Sequence, residues 1–173
     1  MEQRTVELKS SWFGHLRGVE QADIRPQVSG TLIRQVYWDG SICDKGELLF
    51  EIDPATYQAA VDREAANLAT ARAVKLQAEA SLNRVQKDLD RYDKLIRTGA
   101  ISVKNLTDAQ QNLKEMQAAL EQAEAGIKQA EASLENARIN LDRTKVRAPF
   151  RGLASKATAS VGELISASGS PLT

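Results

Sequence analysis

Few residues of this chain have the type and the company that covalent chemistry requires. His15 is the only histidine and Cys43 the only cysteine, and no cluster of thiols or carboxylates joins them at ligand spacing, which argues against a metal site. A lone cysteine excludes a disulfide within the chain, so Cys43 reads as a buried free thiol. No nucleophile is paired with a base, and there is no glycine-rich phosphate loop or basic strip interleaved with aromatics. Trp12, Phe13, Tyr37 and Trp38 read as core or domain-contact aromatics rather than a ligand box. With 23 basic and 23 acidic residues the net charge is zero, which removes any general attraction to nucleic acid or to an anionic membrane surface. Catalytic, cofactor-binding and metal residues are therefore expected to be absent, and the chemistry left is recognition.

The elements that would position recognition residues are legible as a repeat. After Ser102 apolar positions run Leu106, Ala109, Leu113, Met116, Leu120, Ala123, Ile127, Ala130, Leu134, Ala137 and Leu141, with polar Thr144 last. Before Gly99 the same alternation of three and four gives Tyr57, Val61, Glu64, Leu68, Ala71, Lys75, Ala78, Leu82, Val85, Leu89, Tyr92 and Ile96, interrupted by Glu64 and Lys75. Such spacing predicts two helices with a coiled-coil seam. Both runs are rich in strong helix formers and lack internal proline, so the helices should be continuous. The segment Arg97-Thr98-Gly99-Ala100-Ile101-Ser102 is short enough only for a tight reversal. There Gly99 can end the first helix in the left-handed region and Ser102 can cap the second.

The segments flanking this hairpin repeat each other. Laying Gln27-Val28-Ser29-Gly30 over Pro149-Phe150-Arg151-Gly152 carries Gly40 onto Gly162 and Ile42 onto Leu164 without a gap. Val28, Leu32, Val36, Ile42, Leu48, Phe50 and Ile52 fall mostly at even spacing, as half-buried strands require. One such repeat is too small to close a core, whereas two meeting face to face can, and antiparallel helices return the chain to where it left.

Gly30, Gly40, Gly46 and Glu51-Ile52-Asp53-Pro54-Ala55 resemble the first half of a biotinyl/lipoyl domain. In that family the modified lysine occupies the place of Pro54 here, so the resemblance implies the fold without its cofactor. Proline also suits the entry to a helix, whose first turn does not use its missing amide.

A lipoyl-like domain interrupted at this turn by a helical hairpin resembles the periplasmic adaptors, or membrane fusion proteins, of RND-type tripartite multidrug efflux pumps, within the HlyD-like superfamily. Arg25-Pro26-Gln27-Val28-Ser29-Gly30, Glu51-Ile52-Asp53-Pro54-Ala55-Thr56-Tyr57 and Ala137-Arg138-Ile139-Asn140-Leu141 carry that resemblance. So does the tip, where Arg91, Leu95 and Ser102 stand at the family spacing of arginine, three residues, leucine, six residues, serine. The resemblance implies that these three, with Thr98, Gly99, Ala100 and Ile101, dock onto an outer-membrane channel. Singly, each has a plainer reading: Ser102 as a cap, Leu95 as packing beside Ile96, Arg91 as a solvated charge. Their joint placement at the apex favours docking.

The resulting expectation is an α+β protein in which a long antiparallel two-helix coiled-coil hairpin is inserted into a split lipoyl-like β sandwich. Residues 1–23 would be a partial β-barrel strand and linker, with Thr5 to Gly18 as the barrel strand. Residues 24–54 and 145–173 would be the two lipoyl halves, and 55–144 the hairpin, with its tip at 97–102. The resemblance further implies a non-enzymatic bridge between an inner-membrane RND transporter and an outer-membrane channel in the Gram-negative periplasm, associated with the inner membrane in the full-length protein. It also implies a ring of six adaptors, whose charged outer faces here include Arg63, Lys87, Asp88, Lys114, Glu115, Glu121 and Arg138. An adaptor of an ABC-type exporter or type I secretion system is the alternative, and a biotin or lipoate carrier is disfavoured by Pro54. Family members continue beyond the second lipoyl half into further domains that hold most pump contacts, so a truncated piece is expected. The chain has no twenty-residue apolar run.

Overall fold

The structure is a computed structural model describing residues 10–14, 18, 20–97 and 101–173. Its elements are β1 (Gly30–Gln35), β2 (Ile42–Cys43), β3 (Leu48–Ile52), α1 (Ala55–Arg97), α2 (Val103–Asp142), β4 (Lys145–Arg147), β5 (Gly152–Leu153) and β6 (Leu164–Ile165).

The two helices pack along the expected seam. Every seam position named above is buried or half-buried, whereas most residues between them are exposed. Ser81, Asp88 and Leu95 on α1, and Ala119, Gly126, Ser133 and Asn140 on α2, widen the stripe at half-buried positions. Its two polar interruptions are both partnered. Lys75 Nζ lies 3.0 Å from Glu124 across the seam and 3.4 Å from Glu79 on its own helix. Its hydrogen bond to Glu124 is the main cause of an ammonium pKa above the ordinary value. Glu64 accepts from Asn67 at 2.9 Å and from Arg63 at 3.0 Å, and these bonds, Asn67 first, hold its carboxyl below the usual value. At the base Asp53 Oδ1 accepts the Ala55 amide, so the first helical turn is capped just where Pro54 cannot donate.

Thr144, the polar end of the α2 seam, is fully buried and closes the helix rather than weakening it. Its hydroxyl donates to the Leu141 carbonyl at 2.7 Å, and its own carbonyl accepts from Ile52 in β3 at 2.8 Å. Its amide donates to the Leu141 carbonyl at 3.2 Å, so each polar atom of Thr144 is matched, as burial demands.

Strands from both flanking segments interleave in antiparallel sheets, ordered β4-β3-β1-β6 and β2-β5. They enclose one core of Val28, Leu32, Tyr37, Cys43, Leu49, Phe50, Ile52, Val146, Ala148, Ile165 and Leu172. The internal repeat extends to individual hydrogen bonds. The pairs Cys43↔Gly152 and Ile42↔Leu153 correspond under the gapless superposition to Ile165↔Gly30 and Leu164↔Thr31. Gly40 N donates to Ala154 O as Gly162 N donates to Leu32 O, at 2.9 and 2.8 Å. Gly40 and Gly162 take φ of 79° and 91°, a region that disfavours any side chain. Gly30 is needed for another reason: a Cβ there would lie 2.7 Å from the Ile52 side chain.

Strand alternation fails at two places. Val36 and Ile42 were expected inside and are 43% and 67% exposed. A register shift between Leu32 and Arg34 reverses the facing within β1, so Tyr37 enters the core in place of Val36, and in the separate β2-β5 pair Cys43 is the residue turned inward. A second shift, between Leu48 and Phe50, lets consecutive Leu49 and Phe50 both be buried. Of Trp12, Phe13, Tyr37 and Trp38 only Tyr37 is core, meeting Phe50 edge-on at 5.3 Å. Trp12, Phe13 and Trp38 are 90%, 102% and 85% exposed, so none is a core residue. Cys43 is a free, buried thiol. His15 and most of the expected barrel strand lie outside the described residues, and residues 10–14 and 18 join no strand.

Candidate functional site at the hairpin tip

Arg91 and Leu95 lie one helical turn apart on α1, a spacing that puts both on one face. The Arg91 side chain is mostly exposed and is oriented by its own helix. Its Nη2 donates to Asp88 Oδ1 at 2.6 Å, and its guanidinium carbon sits 5.9 Å from the Tyr92 ring centroid. This leaves the other edge of the fork turned to solvent chemistry, since a guanidinium carries five donors. Leu95 is half-buried.

Ser102 is the N-cap of α2, with φ −81° and ψ 154°. Its Oγ accepts from Asn105 N at 3.3 Å, and its carbonyl accepts from Asn105 N at 3.1 Å and Leu106 N at 3.4 Å. Capping uses the hydroxyl as an acceptor, so its proton remains available to a partner. Ile101 is half-buried; Thr98, Gly99 and Ala100 lie outside the described residues. Next to the cap, Val103 is 71% exposed. The heptad pattern does not mark Val103, yet an apolar first-turn residue off the seam is the signal that finds it.

The tip thus offers a forked cation, two aliphatic surfaces and a hydroxyl. Nor do the described residues assemble a metal site elsewhere: no three His, Cys, Asp or Glu side chains converge. Two open grooves flank the β base. One, of about 850 Å³, runs under the end of α2 beside Arg25, Arg138 and Arg143; another, of about 680 Å³, reaches Cys43 and Leu49. No described helix is long and apolar enough to cross a membrane.

Comparison with known proteins follows the same geometry. The barrel-sandwich hybrid domain of the RND membrane fusion proteins (RND MFP) matches residues 20–171. The multidrug efflux pump subunit AcrA of Escherichia coli K12 is 40% identical over 94 residues, which are 52% of this chain and 22% of that protein. The multidrug resistance protein MexA of Pseudomonas aeruginosa is 31% identical over 109 residues, 63% of this chain and 25% of that one. The crystal structure of MacA from Actinobacillus actinomycetemcomitans superposes with a TM-score of 0.83 at 27% identity, covering 89% of this chain and 48% of that chain. The chain therefore spans about a quarter of the two curated relatives and half of the solved structure. Split base, inserted hairpin and matched domain agree, and the chain belongs to the RND membrane fusion proteins, the periplasmic adaptors of RND-type efflux pumps.

Proposed function

We propose that this chain is the bridging part of a non-enzymatic adaptor that links an inner-membrane RND transporter to an outer-membrane channel for drug export, docking to the channel through its hairpin tip. One observation carries the docking assignment: Arg91, Leu95 and Ser102 flank the apex of a hairpin whose first arm is 43 residues long. At ~1.5 Å per residue that arm spans roughly 65 Å. Everything else in the chain holds those residues far from the base. In this reading Arg91 offers its free fork edge to carbonyl or carboxylate groups of the channel, Leu95 and Val103 fill apolar recesses, and Ser102 donates while it caps. Ile101 and the intervening residues 98–100 complete the contact.

Six copies of the complete protein would surround the export path in the periplasm, attached at the inner membrane through parts beyond this chain. The family match favours an RND partner over an ABC-type exporter or a type I secretion system. A biotin or lipoate carrier is disfavoured because Pro54 leads directly into α1, its carbonyl accepting from Gln58 at 2.8 Å.

Drug susceptibility of cells expressing the complete protein tests docking. Arg91→Asp and Leu95→Ser are expected to abolish resistance at normal protein abundance, and Ser102→Arg to do so by steric block. Full resistance in the first two variants would refute docking through this tip.

A further inference from the structure

The hairpin is not uniformly packed along its length. On α1 the buried seam residues are Leu68, Val85 and Leu89, and nothing between Leu68 and Val85 is buried. The seam there is Ala71, Lys75, Ala78 and half-buried Leu82, while Val74 and Leu76 are turned out at 51% and 67% exposure. Facing this section on α2, between Leu120 and Leu134, the buried side chain is the small Ala123, which with Leu134 makes up the buried residues of that helix. Two ion pairs cross between the helices here, Lys75–Glu124 at 3.0 Å and Arg72–Glu131 at 3.6 Å. Such exposed pairs hold helices together weakly and are screened by salt.

Gly126 lies between those two pairs, in the middle of α2. Three ordinary reasons for a mid-helix glycine are absent. Its φ is not positive. A Cβ added there would meet nothing within 4 Å, so no neighbouring described chain requires the space. It does not cap the helix, which continues to Asp142. A glycine in a helix interior nonetheless loosens the backbone relative to alanine. Small side chains, a polar seam pair and an unneeded glycine therefore coincide at one level.

We propose that this level is a built-in flexure, at which the outer half of the hairpin bends relative to the inner half through transient opening of α2 around Gly126 and of the facing turn of α1 around Lys75. The flexure lets the tip shift sideways while the β base stays fixed. It does not depend on what the tip binds.

Hydrogen–deuterium exchange of the whole chain, read peptide by peptide where exchange reports opening equilibria, tests this directly. Amides of 71–80 and 121–130 are expected to exchange at least threefold faster than those near Leu68 and Leu134 on the base side and near Val85 and Leu89 on the tip side. A rate that is uniform, or that only rises steadily toward the tip, overturns the proposal. Gly126→Ala should slow exchange of 121–130 by about three- to fivefold, the helix-propensity difference expressed as a population, and leave the base unchanged. Unchanged or faster local exchange in that variant would equally overturn it. Lys75→Leu, which fills the seam from the other side, is expected to slow the same two segments; faster exchange there would contradict the soft-seam account.

Discussion

In the β base Leu32, Phe50 and Ile52 have no exposed surface and Leu172 keeps 2%, whereas the best-enclosed apolar seam side chains within α1 and α2, Leu134, Val85 and Leu68, keep 6 or 7%. The base closes a three-dimensional core from two repeats separated by the whole hairpin. The hairpin stacks one layer after another, and each layer touches only its neighbours. A two-helix stack has a seam but no interior, so it gains reach at the expense of burial per residue. Damage to the base should therefore act on the whole chain's anchor, while damage to the hairpin should stay near the altered layer.

The largest effect that would break this comparison is expected at Phe50. Phe50→Ala removes a fully buried ring and its edge contact with Tyr37, and should cost about 3 to 5 kcal/mol in denaturant unfolding. A loss below about 1 kcal/mol would mean that the base is not held by this core. In the hairpin, Leu134→Ala should cost about 2 to 3 kcal/mol. Leu82→Ala and Leu120→Ala remove side chains that are only half-buried, so about 1 to 2 kcal/mol is expected from the smaller area returned to water. Equal losses at all four sites would erase the distinction between core and seam. Ser102→Ala should cost about 1 kcal/mol through the lost cap, with helix fraying near the tip seen by amide exchange and none at the base.

The smallest effect is a pH dependence confined to the base. Burial, as the leading cause, raises the Tyr37 phenol above its ordinary value of 10.0; its hydroxyl donates to Ser155 O at 3.2 Å. Because the folded state favours the neutral phenol, its contribution is complete below pH 10 and declines as the unfolded chain ionises above that. Tyr37→Phe should flatten this alkaline decline in a melting-temperature series. An undiminished decline would assign it to other groups.

The two regions also differ in how far their residues disclose them. Every named seam position is legible because a helix pair obeys a local period; Glu64 keeps its place through Arg63 and Asn67 on its own helix, and Lys75 through Glu124 across the seam and Glu79 one turn on. The base repeat was legible in Gly30, Gly40, Gly152 and Gly162, but its facing was not. A register shift in β1 decides whether Val36 or Tyr37 turns inward, another in β3 buries both Leu49 and Phe50, and the pairing of β2 with β5 turns Cys43 rather than Ile42 inward; all three arise from pairing that no local period records. At the tip the Ser102 cap followed from residue type. The hold of Asp88 on Arg91 fits a helical spacing of three, but it is one of many charge pairs that spacing allows. The docking role itself rests on resemblance and on apex position, since arginine, leucine and serine are individually commonplace on helices.

Photo-cross-linking in cells that express the complete protein tests the central claim most directly. A photo-reactive amino acid replaces Val103 at the tip in one strain and Trp38 at the exposed edge of the base in another, with drug export confirmed in both. The account predicts that the Val103 probe captures an integral outer-membrane channel, identified by mass spectrometry, and that the Trp38 probe does not. Capture of the channel from Trp38 alone, with export intact, would contradict it.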